Sequence, residues 1–137
     1  MAEVENPVIS RIINADLVRQ HFGYWPAFHD AEVTKATFES NSGFWPSVTF
    51  LLTASEMAKK VDETGYRGLT KRCDIELQFT GVQEIAFHDF SHQNVLLSLM
   101  LEEDGRNIKC TFGSSTGLDA IIVAEQVTVL SLTSTKR

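Results

Sequence analysis

Val95-Leu96-Leu97-Ser98-Leu99-Met100-Leu101-Glu102, then Asp104-Gly105, then Asn107-Ile108-Lys109-Cys110-Thr111-Phe112 is the stretch that decides the fold. Taken alone, the run from Ser91 to Met100 could be a helix capped by Ser91. The Asp-Gly pair decides against it. Asp-Gly readily takes the positive-φ positions of a tight hairpin, and a matching return strand follows it. The stretch reads as two antiparallel strands.

Working outward, Cys73-Asp-Ile-Glu-Leu-Gln-Phe-Thr80 alternates strictly, with Ile75, Leu77 and Phe79 facing in and Asp74, Glu76 and Gln78 facing out. Gly81 breaks this run, and Val82–Phe87 reads as a further strand. Ala31–Phe38 also has period two, placing Val33 on one face and Glu32, Thr34 and Ala36 on the other. Asn41-Ser42-Gly43 is a turn leading to a strand over Val48–Thr53, and Ala120–Leu132, rich in Ile and Val, ends the sheet. Asn14–Phe22 reads as a short helix with Asn14 as N-cap, Asp16 in the first turn and Gly23 as the stop. Trp25-Pro26 then forces an extended connection.

The sum is one N-terminal helix and about seven strands with no strand–helix–strand crossovers. The expected fold is α+β, predominantly β: a mainly antiparallel curled sheet or small sandwich. One domain spans 1–137, with flexible ends at 1–8 and 133–137. A variable loop at 56–72 is rich in charge, with one helical turn at Met57–Val61.

A hydrophobic content of 43% with 22% charged residues is ordinary globular composition. A formal charge of −6 and a pI near 5.1 argue against binding nucleic acid or an anionic membrane, because phosphate recognition needs clustered Lys and Arg. They suit a cytoplasmic protein or one with a basic partner. The N-terminus shows no basic and apolar leader, and no apolar run reaches the ~20 residues of a membrane span. Cys73 and Cys110 sit inside strand-like runs and read as reduced, buried thiols.

The junction Gly23-Tyr24-Trp25-Pro26-Ala27-Phe28-His29-Asp30-Ala31-Glu32-Val33 concentrates aromatics, imidazole and carboxylate. Gly43-Phe44-Trp45-Pro46 and Phe87-His88-Asp89 echo parts of it, in pieces too short for a repeat. His29-Asp30 and His88-Asp89, with His92, could serve a metal-dependent hydrolase if they converged on one ion. Adjacent residues of a strand point to opposite faces, which favours a structural role: Asp30 and Asp89 bonding nearby backbone N–H groups, and the imidazoles satisfying buried carbonyls. No Gly-x-Ser-x-Gly elbow is present. Gly113-Ser-Ser-Thr-Gly117 is a small-residue loop, read as a strand connection rather than an anion cradle. The residues call for no cofactor and no metal, and no catalytic set stands out.

Asp74, Glu76 and Glu84, with Glu102, Glu103 and Asp104 at a hairpin tip, form acidic surface. It serves either solubility or docking of a basic protein. Trp25 and Trp45, each fixed by the proline that follows it, are core anchors by default and interface hot spots if exposed.

Tyr24-Trp25-Pro26-Ala27-Phe28-His29-Asp30-Ala31-Glu32-Val33 resembles the opening signature of the immunity protein 50 family of bacterial polymorphic toxin systems. Phe79-Thr-Gly-Val-Gln-Glu-Ile85, Phe90-Ser-His-Gln-Asn-Val95 and Gly117-Leu118 before the last strand are similar to its later sections. The likeness covers about residues 22–130, and Phe28-His29-Asp30-Ala31-Glu32 is its specific part. The resemblance implies a non-enzymatic protein that binds and neutralises a cognate toxin, with no catalytic residues. A homodimer or larger homo-oligomer without a ligand, and the metal hydrolase, are the alternative readings.

Overall fold

The computed structural model describes residues 6–57, 69–115 and 117–135. A short 3-10 helix, Pro7–Arg11, precedes α1 (Ala15–Phe22). The strands are β1 (Glu32–Glu39), β2 (Ser47–Met57), β3 (Leu69–His88), β4 (Leu96–Asp104), β5 (Asn107–Ser114) and β6 (Asp119–Ser134). They form one antiparallel sheet in the order β1-β2-β3-β6-β5-β4. The α+β, mainly β class follows, with six strands.

The expected count of about seven falls to six because β3 runs on through Gly81 with its pairing to β6 unbroken; the nearest register shift lies beyond it, between Val82 and Glu84. Thr80 pairs with Gln126 and Val82 with Ala124, so Gly81 stands opposite Glu125 inside one long strand. Its φ of 63° is left-handed, and a Cβ there would lie 2.9 Å from Glu125 Cβ. Only glycine satisfies both conditions at once.

β2 and β5 lie three strand spacings apart, about 14 Å in a flat sheet. Yet the rings of Phe50 on β2 and Phe112 on β5 are 4.6 Å apart, and Phe79 touches both. The sheet must therefore fold back on itself. β3 and β6 run through both halves. Their residues 73–80 and 126–134 pair with each other beside β2 and β1; residues 82–88 and 119–124 pair beside β5 and β4. The result is a curled sheet whose two layers pack as a small sandwich, with Phe50, Leu52, Ile75, Leu77, Phe79, Ile108, Phe112 and Ile122 buried between them.

The two outer strands meet at one point, where Glu32 bridges Val95. The N-terminal segment closes another side of the core, burying Val8, Ile9, Ile12, Ala15, Val18 and Phe22. Ile13 bonds both ways to the edge of β6, and Asn6 Nδ2 donates to Leu101 O at 2.7 Å.

Several local expectations change in this context. Asn14 precedes α1 but has φ 64° and makes no side-chain cap; its amide donates to Val129 O at 3.3 Å, a tertiary bond that replaces the local one. The register shifts between Val33 and Lys35, so Ala36 pairs with Phe50 and joins the inner face expected only for Val33. At the two ends, Val8 is fully buried and β6 includes Thr133 and Ser134. In the expected loop, Glu56 pairs with Thr70 in β2 and β3, while 58–68, with most of the expected helical turn, lies outside the described residues.

Cys73 and Cys110 are unpaired and buried. Burial lifts the Cys73 thiol from 9.0 to about 11, with Asp74 adding to the effect, and lifts Cys110 further. Both thiols should stay unreactive toward a disulfide reagent at pH 8 until the chain is denatured. The native state holds these protons longer than the unfolded chain does. Their contribution to stability is therefore complete below the unfolded thiol range and declines as pH rises from about 9 toward 11. Urea midpoints measured from pH 8 to 11 check that fall.

Candidate partner-binding surfaces

The expected acidic residues lie on the surface but do not form one patch. Asp74 and Glu76 face outward from the first half of β3. They line a shallow groove of about 270 Å³ with Lys35, Thr37, Thr49 and Ser131. Thr53 Oγ1 donates to Asp74 and Ser131 Oγ to Glu76, both at 2.8 Å, which fixes each carboxylate in direction. Glu84 and Glu102 lie on the outer face of the other layer, at the two ends of the cross-strand row Glu102–Lys109–Val123–Glu84. Glu103 points the opposite way, beside Ile108, and meets Arg11 at 3.7 Å; Asp104 closes the hairpin turn against Asn107. One rigid partner surface cannot cover all six.

The histidine–aspartate pairs also stay apart. His29 Nδ1 and Asp30 Oδ2 are 3.2 Å apart in an exposed turn just before β1. His88 ends β3 opposite Asp119. Among the described residues no three His, Cys, Asp or Glu side chains meet in a set able to hold a metal ion. The convergence required by the hydrolase reading is not there.

The Phe-His-Asp block works through its backbone. The Asp30 N–H donates to Leu96 O and the Leu96 N–H to Ala31 O, each at 2.8 Å, and Val33 N–H donates to Asn94 O at 3.0 Å. These bonds staple β1 to the segment entering β4. Phe28 (φ 61°) is buried and meets Trp25 edge-on at 5.6 Å, while Asp30 (φ 70°) turns its carboxylate to His29 and not to the backbone. His29 and His88 are exposed, so neither imidazole serves a buried carbonyl; His21 meets a carbonyl, Lys71 O at 2.6 Å, but at an exposed position.

Asn94, which the pattern of residues did not single out, is buried and fully bonded. Its Oδ1 accepts from Ser91 and Leu118 N–H, and its amide donates to Val33 and Ser91 carbonyls, at 2.9–3.2 Å. Gly117 packs against it: a Cβ there would lie 2.5 Å from the Gln93 carbonyl oxygen. In the loop after β5, Gly117 N–H is taken by Ser114 Oγ and Leu118 N–H by Asn94, so these two donors hold the strand connection and are not open to an anion.

The two tryptophans differ. Trp25 is half-buried against Phe28, beside a groove of about 670 Å³ that also takes in Ile9, Pro26, Leu99 and Met100. Next to it, Tyr24 donates to Glu56 at 2.5 Å, and this hydrogen bond to a carboxylate raises the phenol pKa. Trp45 is 57% and Phe44 83% exposed in the loop between β1 and β2. Phe38, Phe87 and Phe90 make a further cluster, with ring centroids 5.0 and 5.8 Å apart in sequence order. It arises because β3 continues through Gly81 and brings Phe87 over β1.

The sequence profile of the immunity protein 50 family matches residues 14–134. The chain belongs to that family. The match takes in α1 and all six strands and leaves out only the 3-10 helix before them. No curated protein and no solved structure matches the chain. As a family of immunity proteins, the immunity protein 50 family implies a protein partner, and no helix among the described residues is long and apolar enough to cross a membrane. For an immunity protein the informative features are outer faces, strand edges and exposed rings rather than an enclosed pocket.

Proposed function

We propose that this chain is a non-enzymatic immunity protein that binds a cognate bacterial toxin in the cytoplasm and holds it inactive. The match to the immunity protein 50 family over residues 14–134 carries the reading. The formal charge of −6 and the outward carboxylates of Asp74, Glu76, Glu84 and Glu102 favour a basic toxin domain.

Co-expression with the toxin domain encoded beside its gene should restore growth, and the two proteins should purify as a complex. Reversal of one acidic pair, Asp74→Lys with Glu76→Lys or Glu84→Lys with Glu102→Lys, should weaken binding by about tenfold or more near 0.15 M salt and leave the fold intact. The wild-type complex should also weaken as salt rises. Unchanged affinity in both double variants would remove the electrostatic basis, and unrestored growth with no complex would remove the reading itself.

A further inference from the structure

β3 is 20 residues long, but β2 covers only its first part, up to Phe79. Val82 N–H still finds Pro46 O at 3.0 Å. From Gln83 to His88 the strand pairs with β6 on one side, and on the other it has no strand among the described residues. Natural sheets guard such edges with lysine, proline, a bulge or a covering segment. Gln83-Glu84-Ile85-Ala86-Phe87-His88 contains neither lysine nor proline; its bulge, at Gln83 between Val82 and Glu84, falls at its first residue and leaves Glu84–His88 in regular pairing with β6.

Exposed apolar side chains gather along this edge. Ile85 is 41% exposed. Phe90 stacks on Phe87, and Phe38 meets Phe87 edge-on; both outer rings are close to half exposed. Phe44 and Trp45 directly precede Pro46, at the point where β2 stops covering β3. Rings of this kind, held in place with few rotamers to lose, are the usual anchors of protein interfaces. The charges here have one sign: across 38–47 and 81–95 the formally charged residues are Glu39, Glu84 and Asp89. A second copy joined through this edge would set the same negative charges together, each copy bearing −6 in all.

We propose that the uncovered edge of β3, Gln83–His88, with Phe38, Trp45 and Phe90 beside it, docks an extended segment bearing Lys or Arg as an added strand. That the segment belongs to a toxin rests on the immunity reading. Main-chain bonds would supply affinity, and the alternating side chains specificity. Ile85 and Phe87 point to the ring side and Glu84 to the other, so the docked strand would alternate apolar residues with basic ones.

The test uses a phage-displayed library of random dodecapeptides selected on the full chain. Enriched sequences should alternate basic and apolar residues. Their synthetic forms should slow hydrogen exchange at the amides of residues 83–88 and should bind about tenfold more weakly to the Trp45→Ala/Phe90→Ala variant, whose circular dichroism should match the wild type. Absence of enrichment, acidic consensus sequences, equal binding to the variant, or protection elsewhere on the chain would each overturn the proposal. So would concentration-dependent dimerisation of the free chain that protects the same amides, which assigns the edge to a second copy. Because no toxin is needed, failure here leaves the immunity reading standing, and failure to find a toxin leaves peptide docking intact.

Discussion

Asn94→Ala is expected to cost the fold about 3–5 kcal/mol, because several buried partners lose their hydrogen bonds together. Ser91 and Leu118 N–H would lose their acceptor, and the Val33 and Ser91 carbonyls their donor. Removal of one partner from a buried hydrogen bond typically costs ~1–3 kcal/mol, and the effects here overlap because all act on one junction. That junction joins β1, the entry to β4 and the entry to β6. Water cannot easily replace the amide, since Asn94 is 2% exposed and Gly117 packs against it. Urea unfolding should show a lower midpoint at unchanged slope. A change below about 0.5 kcal/mol would mean that the backbone staple between β1 and β4 holds without it.

Phe50→Ala is the second large effect, expected at about 3–5 kcal/mol. Phe50 is fully buried, and its ring meets Phe79 at 5.8 Å, Phe87 at 6.3 Å and Phe112 at 4.6 Å. With Phe79, it brings the two layers together at Phe112. The cavity left by its removal lies between layers joined mainly through β3 and β6, so the loss should appear as weaker docking of one layer on the other. Hydrogen exchange should then rise first in β4 and β5, the strands most remote from β2 in the sheet order. Uniform acceleration of all strands would show instead that the layers unfold as one unit.

Much of this architecture is legible in the residues themselves where the signal is local. The alternation from Cys73 to Thr80 and the Asp104-Gly105 hairpin are short-range patterns, and both stand as read. Gly81 was ambiguous for a physical reason. Glycine can end a strand or sit within one where a neighbour comes too close for a side chain, and what decides is Glu125, a residue on another strand. Asn14 looked like a cap, but its amide found Val129 instead. The acidic residues were recognisable as outward-facing, but their separation onto different faces follows from the fold-back of β3 and β6, which no single strand announces. The Phe-His-Asp block was visible as unusual; its service as a backbone clasp needed Leu96 in view. The rings of Phe38, Phe87 and Phe90 lie on separate elements and meet only after folding.

The central place of β6 sets a timetable for synthesis. Its 16 residues are made after the other five strands, yet they run through the middle of the sheet and serve both layers. While the ribosome still holds Asp119–Ser134, β3 has no inner neighbour and the β4–β5 hairpin has nothing to pair with. At about 5–20 residues per second, the 16 residues of β6 take about 1–3 seconds to make, during which the chain is two unfinished pieces with open edges. The sheet can close only once β6 is in place between β3 and β5. A ribosome stalled within β6 would therefore leave an aggregation-prone fragment with both pieces still open.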